Sequence, residues 1–374
     1  MNVSNLRPLF DQPGPWVSVY LDATRAGENA DHEVDLRWRA LRESLEADGA
    51  DAATLDAVGT AVAEYPYQPG RYGLAIFARA GEVALVEVLS APPPADQAHY
   101  GPLPHAMPLV AQRGEEVPYV RVLADRTGAD LDGLSVGGAS PHHQVTGSET
   151  FPLRKVNTGG WSHRRFQQAA EESWKRNSED VAAAAAELAE SVGAEVIVVG
   201  GDIRAVQLFA DRLPKRWRER VVQTDAGSRA AGADEAALDD VTIRAIADIV
   251  GRHVTEAVER YRAQQGDGTA STGLADVVTR LQRGQVDTVL LADDPSSTDT
   301  LWIGPDDPTL VSADEHLLRQ SGVENPQRVR ADAALLRAIT GTGASLVLVA
   351  PEDVALEHGI GAVLRYADGS TAAS

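Results

Sequence analysis

Hydrophobic and polar positions in the first part of the chain follow two periods, one typical of strands and one typical of helices. Apolar β-branched and aromatic residues alternate along WVSVYLD, which predicts a strand. A period of three to four residues follows and breaks near Asp48-Gly49, which predicts two consecutive helices. Later, a proline-punctuated stretch without a period marks a domain boundary at 117/118. The predicted elements are a strand at 16–22, helices within 31–64, and paired strands at 73–78 and 83–89.

The middle of the chain, residues 118–232, predicts an α/β domain interrupted by one long loop. Its clearest element is a helix with Ser162 as the predicted N-cap and an apolar stripe of residues three, four or seven positions apart. The stripe consists of Phe166, Ala170, Trp174, Val181, Ala185, Leu188 and Val192. We interpret Phe166 and Trp174 as core residues. The other predicted elements are a hairpin at 119–125 and 130–136, a loop at 137–162, a strand at 195–202 and a helix at 203–213.

Residues 233–374 alternate between helical and strand patterns, which is typical of an α/β/α sandwich. An Ala/Gly-rich stretch at 225–237 predicts a hinge at the start of this part. The predicted elements are helices at 238–264, 273–283, 313–320 and 331–340, strands at 287–293 and 345–350, and a final apolar run at 362–367. The sequence therefore predicts an α/β protein of three units, 1–117, 118–232 and 233–374.

Composition changes this picture by excluding several classes of protein. The 374 residues contain no cysteine, which excludes disulfides, cysteine zinc sites and thiol nucleophiles. No apolar run reaches the roughly eighteen residues of a membrane-spanning helix, and the N-terminus lacks the pattern of a signal peptide. We therefore expect a cytoplasmic protein. The formal net charge of −21 argues against general nucleic-acid binding, because neutralised phosphates supply much of that affinity.

Positive charge is nevertheless concentrated in two places in the middle of the chain. No acidic residue occurs between Thr150 and Ala170, whereas four basic residues do, namely Arg154, Lys155, Arg164 and Arg165. A second cluster consists of Arg212, Lys215, Arg216, Arg218 and Arg220. Each cluster alone is typical of a solvated helix face. That interpretation does not explain why the first cluster adjoins a Gly-Gly pair and a tryptophan in NTGGWSHRRF.

Other glycine and histidine motifs give little support to cofactor or metal chemistry. VVGGDIRAV at 198–206 has the order strand, Gly-Gly, helix, but it lacks a third glycine and a lysine, which favours a tight turn over a phosphate site. GTGAS and GIGAVL are interpreted as turns. His142-His143 lies in a predicted loop without further ligands, and Ser162-His163 has no recognisable triad partner. We expect no metal, no cofactor and no catalytic residue.

The stretch GGWSHRRFQQAAEESWKRNSEDVAAAAAELAE at 159–190 resembles the middle domain of archaeo-eukaryotic class-I peptide chain release factors. That family carries Gly-Gly-Gln, a serine, an arginine-phenylalanine pair and then a long helix. The residues that match in order and spacing are Gly159, Gly160, Ser162, Arg165 and Phe166. YVRVLADRTGADL, GIGAVLRYA and the three-unit organisation resemble the same family, so the similarity covers most of the chain. WVSVYLD and GPLPHAMPLV resemble an actinobacterial branch with dormancy-associated mycobacterial proteins and relatives of the ribosome hibernation factor Balon.

The resemblance implies that the Gly-Gly loop reaches the peptidyl-transferase centre of the ribosome, where the family's glutamine positions water against the peptidyl-tRNA ester. Trp161 stands in place of that glutamine, and an indole offers one donor and no acceptor. The backbone N–H at this position could still contribute. An aromatic ring can stack on an RNA base, which is worth ~1–3 kcal/mol, or it can pack on its own domain. The Asn-Ile-Lys-Ser motif that the family uses at stop codons is absent from the first unit.

We therefore expect a factor that binds the A site of the 70S ribosome and acts in hibernation or stress without efficient hydrolysis. The residues expected to contact ribosomal RNA are Arg154, Lys155, Gly159, Gly160, Trp161, Ser162, His163, Arg164 and Arg165. Elongation factor Tu, beside the third unit, is a partner that the resemblance also suggests. Two alternatives remain open, a peptidyl-tRNA hydrolase that rescues stalled ribosomes and an RNA or protein adaptor unrelated to ribosomes.

Overall fold

The computed structural model describes most of the chain and divides it into two compact units. Unit 1 combines residues 1–115 with 254–374, and unit 2 comprises residues 116–253. The described ranges are 1–12, 14–26, 29–68, 70–136, 141–146, 161–229, 236–267, 269–294 and 297–366, with the backbone alone at 146, 161–171 and 173. The division into three domains at 117/118 and 232/233 stays a prediction, since compactness groups the first and last parts of the chain together.

Helices and strands alternate along the described residues, which confirms the predicted α/β class. The helices are α1 (Arg7–Phe10), α2 (Ala30–Ala47), α3 (Ala52–Glu64), α4 (Met107–Arg113), α5 (Trp161–Val192), α6 (Ile203–Arg212), α7 (Lys215–Arg218), α8 (Ala236–Gly266), α9 (Leu274–Gln282), α10 (Glu315–Gln320) and α11 (Ala331–Thr342). The strands are β1 (Trp16–Asp22), β2 (Gly73–Arg79), β3 (Glu82–Leu89), β4 (Gln97–Gly101), β5 (Tyr119–Ala124), β6 (Gly128–Leu134), β7 (His142–Thr146), β8 (Val196–Gly201), β9 (Val221–Gln223), β10 (Ser271–Thr272), β11 (Val286–Ala292), β12 (Thr300–Ile303), β13 (Val311–Ser312), β14 (Gln327–Arg330), β15 (Ser345–Val349) and β16 (Ile360–Leu364).

A four-stranded antiparallel sheet of order β3-β2-β1-β4 forms the N-terminal part of unit 1. Strand β1 is buried along nearly its whole length, because α2 and α3 cover one face of the sheet and a larger core covers the other. Helix α3 begins where the side chain of Asp51 accepts a hydrogen bond from the N–H of Thr54, which satisfies a donor left free at a helix start. The predicted strand at 16–22, the two helices and the strand pair are all confirmed.

One hydrophobic core joins the N-terminal sheet to the C-terminal part of unit 1. Trp16, Tyr20 and Phe77 of the sheet belong to the same buried cluster as Leu336 of α11 and Leu346 of β15. Burying one such side chain stabilises the fold by about 1.5–3 kcal/mol. The first and last parts of the chain therefore rely on each other to bury their apolar faces.

A buried polar junction links β1, the segment before α4, and α11. The hydroxyl of Tyr20 donates to the carbonyl of His105 at 2.7 Å and accepts from the N–H of Leu109 at 3.3 Å. Nε2 of His105 lies 3.1 Å from a carboxylate oxygen of Asp332, and the Arg330 guanidinium contacts the same oxygen at 2.7 Å. Burial raises the pKa of Tyr20, so the phenol stays protonated and keeps its role as a donor.

We expect Tyr20→Phe to lower the free energy of unfolding of unit 1 by about 1–3 kcal/mol, because the substitution leaves two buried backbone groups without a partner. Urea unfolding measures the effect. Tyr67→Phe is the matched control, since the ring of Tyr67 is 65% exposed and its loss of a hydroxyl should change stability by less than about 0.5 kcal/mol. Equal stability of the two variants would contradict the structural role of the Tyr20 hydroxyl.

A mixed sheet of order β10-β16-β11-β15 forms the C-terminal part of unit 1. Helices α9 and α11 pack on one face, and the end of α8 packs on the other through Tyr261. The predicted α/β/α sandwich is therefore confirmed. The prediction of a turn at GIGAVL holds only for Gly359, which ends a 3₁₀ turn, and is wrong for residues 360–364, which form the inner strand β16. Gly361 permits close packing there, since a Cβ at this position would lie 2.7 Å from the ring of Tyr261.

A second sheet in this part, of order β13-β12-β14, was not among the predicted elements. Its strands contain two to four residues, too few for an alternating pattern to be recognised. The buried side chain of Arg337 in α11 donates to the carbonyls of Gly304 and Pro305, each at 2.8 Å. These hydrogen bonds tie the turn after β12 to the central helix of unit 1.

Unit 2 is built on a five-stranded sheet of order β7-β6-β5-β8-β9, parallel across β5, β8 and β9 and antiparallel across β5, β6 and β7. Helices α5 and α6 cover one face, and the first half of α8 covers the other. The predicted hairpin, the buried strand β8 and the helix α6 are confirmed. Strand β7 corrects the prediction of a loop throughout 137–162. Its sequence, HHQVT, is mostly polar and therefore carries no strand signal.

Candidate functional site

The residues predicted to contact ribosomal RNA surround the start of α5. Arg154, Lys155, Gly159 and Gly160 lie outside the described residues. Trp161, Ser162, His163, Arg164 and Arg165 are the first five residues of α5. The role of all nine in RNA binding stays a prediction.

The start of α5 corrects one local prediction, the N-cap. Ser162 is the second residue of the helix, whereas a capping residue precedes the first helical residue. The apolar stripe first appears at Phe166, so its period could not show that the helix starts earlier. The helix propensities of tryptophan, histidine and arginine are at most ~0.7 kcal/mol less favourable than that of alanine. These residues therefore allow the helix to include positions 161–165.

Strand β7 leads into the segment that carries the Gly-Gly pair, and side chains tie this strand to its neighbour β6. Five residue pairs are in antiparallel register between the two strands. On one face, Nδ1 of His142 lies 2.7 Å from the carboxylate of Asp132, and the amide of Gln144 donates to Asp130 at 3.0 Å. The strand before the candidate loop is therefore fixed by side chains as well as by its backbone.

Arg229 extends this polar network to the chain after β9. Its guanidinium donates to both carboxylate oxygens of Asp130, at 3.0 and 3.2 Å, and lies 3.0 Å from Asp125. The hydrogen bonds from Arg229 lower the pKa of Asp130, and partial burial opposes them more weakly. Arg229 is not among the predicted site residues, because it lies in the stretch 225–237, whose composition predicts only a hinge.

Helix α5 is fixed to the sheet by a polar contact in addition to its apolar stripe. The Arg126 guanidinium lies 4.9 Å from the centre of the Trp174 ring and 3.2 Å from a carboxylate oxygen of Asp202. The side-chain amide of the buried Asn177 donates to the carbonyl of Arg126 at 3.3 Å. Trp174 is only partly buried, so its interpretation as a core residue is corrected to that of a stacking partner for arginine.

The C-terminal half of α5 provides the apolar anchor. Val181, Ala185 and Leu188 are buried in the core of unit 2, as the predicted stripe requires. From Trp161 to Asn177 the helix axis rises by roughly 24 Å, at 1.5 Å per residue. The helix start that carries Arg164 and Arg165 is thus continuous with a helical segment that packs on the sheet well downstream.

Three of the five cations of the second basic cluster face carboxylates within unit 2. Arg212 pairs with Glu179, and Arg216 pairs with Glu190. Lys215 lies 4.0 Å from Glu219 on the same helical turn. Cations that already face carboxylates offer little to a phosphate backbone, which favours the interpretation of this cluster as a solvated helix face.

The Gly-Gly pair at the end of β8 confirms the prediction of a tight turn between this strand and α6. A Cβ at Gly200 would lie 2.3 Å from the carbonyl oxygen of Ala226, and one at Gly201 would lie 2.1 Å from that of Ala124. The carboxylate of Asp202 accepts the free N–H groups at the start of α6. A phosphate at this helix start would be repelled by the Asp202 carboxylate, and the N–H groups that could bind it already donate to that carboxylate. The turn therefore offers no phosphate site.

No group of three metal-ligating side chains occurs among the described residues. His142-His143 lies in strand β7 and not in a loop, and consecutive strand residues point to opposite faces of a sheet. Helices long and apolar enough to cross a membrane are likewise not found within the described ranges.

Comparison with known proteins identifies a family for the chain. Residues 118–267 match the family described as bacterial archaeo-eukaryotic release factor family 2. The uncharacterized protein Rv2629 of Mycobacterium tuberculosis (strain H37Rv) is 31% identical over 374 residues, which cover 98% of this chain and 97% of the relative. A protein of M. tuberculosis strain CDC 1551, also uncharacterized, matches with the same identity and coverage.

Two solved structures, of an archaeal translation termination factor and of archaeal Pelota, match this chain with low TM-scores. The crystal structure of the archaeal translation termination factor aRF1 is 15% identical with a TM-score of 0.23, covering 97% of this chain and 96% of that one. A model of ribosome-bound archaeal Pelota and ABCE1 is 14% identical with a TM-score of 0.38, covering 98% and 96%. The family match covers residues 118–267, and the 31% identical mycobacterial relative extends the similarity over nearly the whole chain. The chain therefore belongs to bacterial archaeo-eukaryotic release factor family 2 and is a release-factor homologue.

Proposed function

We propose that this protein binds the A site of the 70S ribosome in the cytoplasm and directs the segment around Gly160 and Trp161 toward the peptidyl-transferase centre. It would hold idle or stressed ribosomes in this way, without efficient hydrolysis of peptidyl-tRNA. The observation that carries the proposal is the sequence GGWSHRRF, whose last six residues begin α5, in a member of a release-factor family.

Charge distribution supports this site over the rest of the surface. The chain carries a formal net charge of −21, yet the stretch from Thr150 to Ala170 has no acidic residue. Three of the five cations of the other basic cluster of unit 2 already face carboxylates. Arginine pairs well with phosphate through its planar fork of donors, so Arg164 and Arg165 are the cations best suited to ribosomal RNA.

The residue at position 161 supports binding without release. A glutamine offers both a donor and an acceptor for positioning water, whereas the indole of Trp161 offers a single donor. A large aromatic ring is well suited to stacking on a nucleobase. Elongation factor Tu, beside residues 233–374, is the protein partner that fits this role.

The test is co-sedimentation of the purified full-length chain with 70S ribosomes at physiological salt. We expect binding of the unchanged protein and roughly tenfold or greater weakening in Arg164→Glu/Arg165→Glu, because two phosphate contacts turn repulsive. Lys215→Glu/Arg218→Glu is the matched control, with the same change of charge on exposed residues of α7. Absence of co-sedimentation of the unchanged protein would refute the proposal, and equal weakening by both variants would refute the assignment of the site.

A peptide-release assay on ribosomes loaded with peptidyl-tRNA separates holding from hydrolysis. We expect binding without rapid release. Rapid release that Gly160→Val abolishes would instead establish a peptidyl-tRNA hydrolase that rescues stalled ribosomes.

A further inference from the structure

The first half of α8 packs on the sheet of unit 2 with one face and exposes the opposite face. Its buried residues recur every three or four positions, and they are Leu238, Thr242, Ala245 and Ile249. The exposed face of residues 240–252 carries a row of Ile243, Ala247 and Gly251, four positions apart. The proposed role of α5 in ribosome binding does not account for this row.

The exposed row contains one large residue and two small ones. Ile243 is 63% exposed, Ala247 is exposed, and a Cβ added at Gly251 would have nothing within 4 Å. Residues four positions apart are separated by roughly 6 Å along a helix axis. A branched side chain can insert between two such small residues of a facing helix, as a knob into a hole. The row therefore offers both a knob and a hole that could receive it.

A second row beside the first carries alternating charges. Its members are exposed and four positions apart, and they are Asp240, Arg244, Asp248 and Arg252. Nε of Arg244 donates to the backbone carbonyl of Asp240 at 3.2 Å. Within the described part of the chain, none of these four side chains lies at ion-pair distance from an opposite charge. Their charges therefore remain available to a partner.

The alternating row is complementary to its own reversed copy. A twofold axis level with Ile246 would make two α8 helices antiparallel and would place Arg244 of each copy level with Asp248 of the other. The same axis places Asp240 of each copy level with Arg252 of the other. Every charge of the row is then level with an opposite charge, and no like charges are brought together.

The same register also brings the apolar rows together. Ile243 of each copy lies level with the gap between Ala247 and Gly251 of the other copy. The large residue thus meets two small ones, in both directions, as a symmetric contact requires. One register therefore satisfies both the shape and the charge of this face.

Local charge favours a second copy of the chain over other partners. The chain has a formal net charge of −21, so most surfaces of two copies repel each other. Residues 240–252 contain two aspartates and two arginines, whose formal charges cancel. The neighbouring Asp239 already pairs with Arg121 at 2.6 Å. A nucleic acid would bring its phosphates toward the two aspartates, which electrostatic repulsion disfavours.

We propose that residues 240–252 of α8 pair with the same segment of a second copy, antiparallel, and form a symmetric homodimer. A single pair of helices buries a small area, and interfaces below about 1,200 Å² are typical of weak, reversible association. We expect a Kd on the order of 10–100 µM. This pairing is independent of the ribosomal role proposed above.

The test is sedimentation velocity of the full-length protein from about 5 to 500 µM, a range that spans the expected Kd. We expect the weight-average sedimentation coefficient to rise toward that of a dimer. Ile243→Asp should weaken association roughly tenfold or more, because it places a charge in the apolar contact. Ile203→Asp is the matched control, since Ile203 of α6 is 59% exposed and lies outside the proposed contact. It should leave the Kd within about twofold.

Charge variants test the register itself. Arg244→Asp and Asp248→Arg each place like charges opposite one another twice in the dimer, so each alone should weaken association roughly tenfold or more. An equimolar mixture of these two variants should associate about as well as the unchanged protein, because each arginine again meets a carboxylate. Arg204→Asp, an exposed position of α6, is the control for the change of charge.

Three outcomes would overturn the proposal. The first is a protein that stays monomeric up to about 500 µM, well above the expected Kd. The second is an equal effect of Ile203→Asp and Ile243→Asp on association. The third is a mixture of Arg244→Asp and Asp248→Arg that associates no better than either variant alone. Ribosome binding is measured separately, so these outcomes leave the proposed function untouched.

Discussion

Replacing Asp332 with alanine should lower the free energy of unfolding of unit 1 by about 3–5 kcal/mol, the usual cost of removing one partner from a buried ion pair. The carboxylate is 19% exposed and serves two cationic or polar partners at once. Arg330 approaches it with Nη2 at 2.7 Å and Nε at 3.2 Å, and the His105 ring lies 3.1 Å away. Without it, the His105 ring and the Arg330 guanidinium both lose their carboxylate partner, and the side chain of His105 is only 11% exposed.

Urea unfolding of Asp332→Ala measures this loss, and Glu352→Gln provides the matched control. Glu352 is exposed, so removing its charge should change stability by less than about 0.5 kcal/mol. If both variants unfold at the same urea concentration, the junction contributes nothing measurable and the expectation is wrong.

The same carboxylate gives the stability of unit 1 a specific dependence on pH. Burial alone would raise the pKa of Asp332, but the hydrogen bonds and positive charges of His105 and Arg330 outweigh it and hold the pKa well below its usual range. A depressed pKa in the folded state means that the stabilisation is present above the ordinary carboxyl pKa, about 3.9, and is lost as the pH falls below it. The difference between the unchanged protein and Asp332→Ala should therefore shrink from about pH 4 downward. A constant difference across this range would exclude a charged Asp332 as the cause.

Gly201→Ala should lower the free energy of unfolding of unit 2 by about 2–5 kcal/mol, from the sum of backbone strain and steric overlap. Gly201 has a φ of +118°, which side-chain-bearing residues rarely adopt. A Cβ there would lie 2.1 Å from the carbonyl oxygen of Ala124, and that carbonyl accepts the N–H of Asp202. Relief of the overlap would require β5 and β8 to separate at the point where the sheet meets α6.

Gly251→Ala is the control for this substitution in the same unit. Gly251 lies on the exposed side of α8, and nothing lies within 4 Å of an added Cβ. Alanine in a helix interior is favoured over glycine by about 0.5–1 kcal/mol, so this variant should be slightly more stable than the unchanged protein. Thermal unfolding of both variants gives the comparison. A Gly201→Ala protein that melts within 1–2 °C of the unchanged one would show that the turn adapts at little cost.

Helices and strands with a clear hydrophobic periodicity were predictable from the sequence, and those without such a periodicity were not. WVSVYLD was predictable from its alternating β-branched and aromatic residues, and VIVVGG from a continuous β-branched run typical of a buried strand. Strands β7, β12, β13 and β14 were not predicted. Each contains only two to five residues, several of them polar, which is too short for an alternating hydrophobic pattern. The first residues of α5 were not predicted to be helical, because the apolar stripe that indicates the helix begins only at Phe166.

The residues of the candidate site stay a prediction from the sequence, and the contacts that support the start of α5 could not be predicted from it. The Gly-Gly pair and the arginines around Trp161 stand together in the sequence, so a local motif search finds them. Arg126 and Trp174 are far apart in sequence, and so are Arg229 and Asp130, which meet only once the sheet of unit 2 has formed. Contacts between distant residues leave no trace in periodicity.

The core shared by the N-terminal sheet and α11 has a consequence for synthesis of the protein. Trp16, Tyr20 and Phe77 are synthesised well before Leu336 and Leu346 of the same buried cluster, which follow Phe77 by 259 and 269 residues. At 5–20 residues per second, the sheet waits roughly 10–50 s for the helix that helps to cover it. A nascent chain that exposes an aromatic face for that time is a natural client for chaperones. The yield of this protein in the cell therefore depends on the time between synthesis of the sheet and of α11, as well as on the stability of the folded protein.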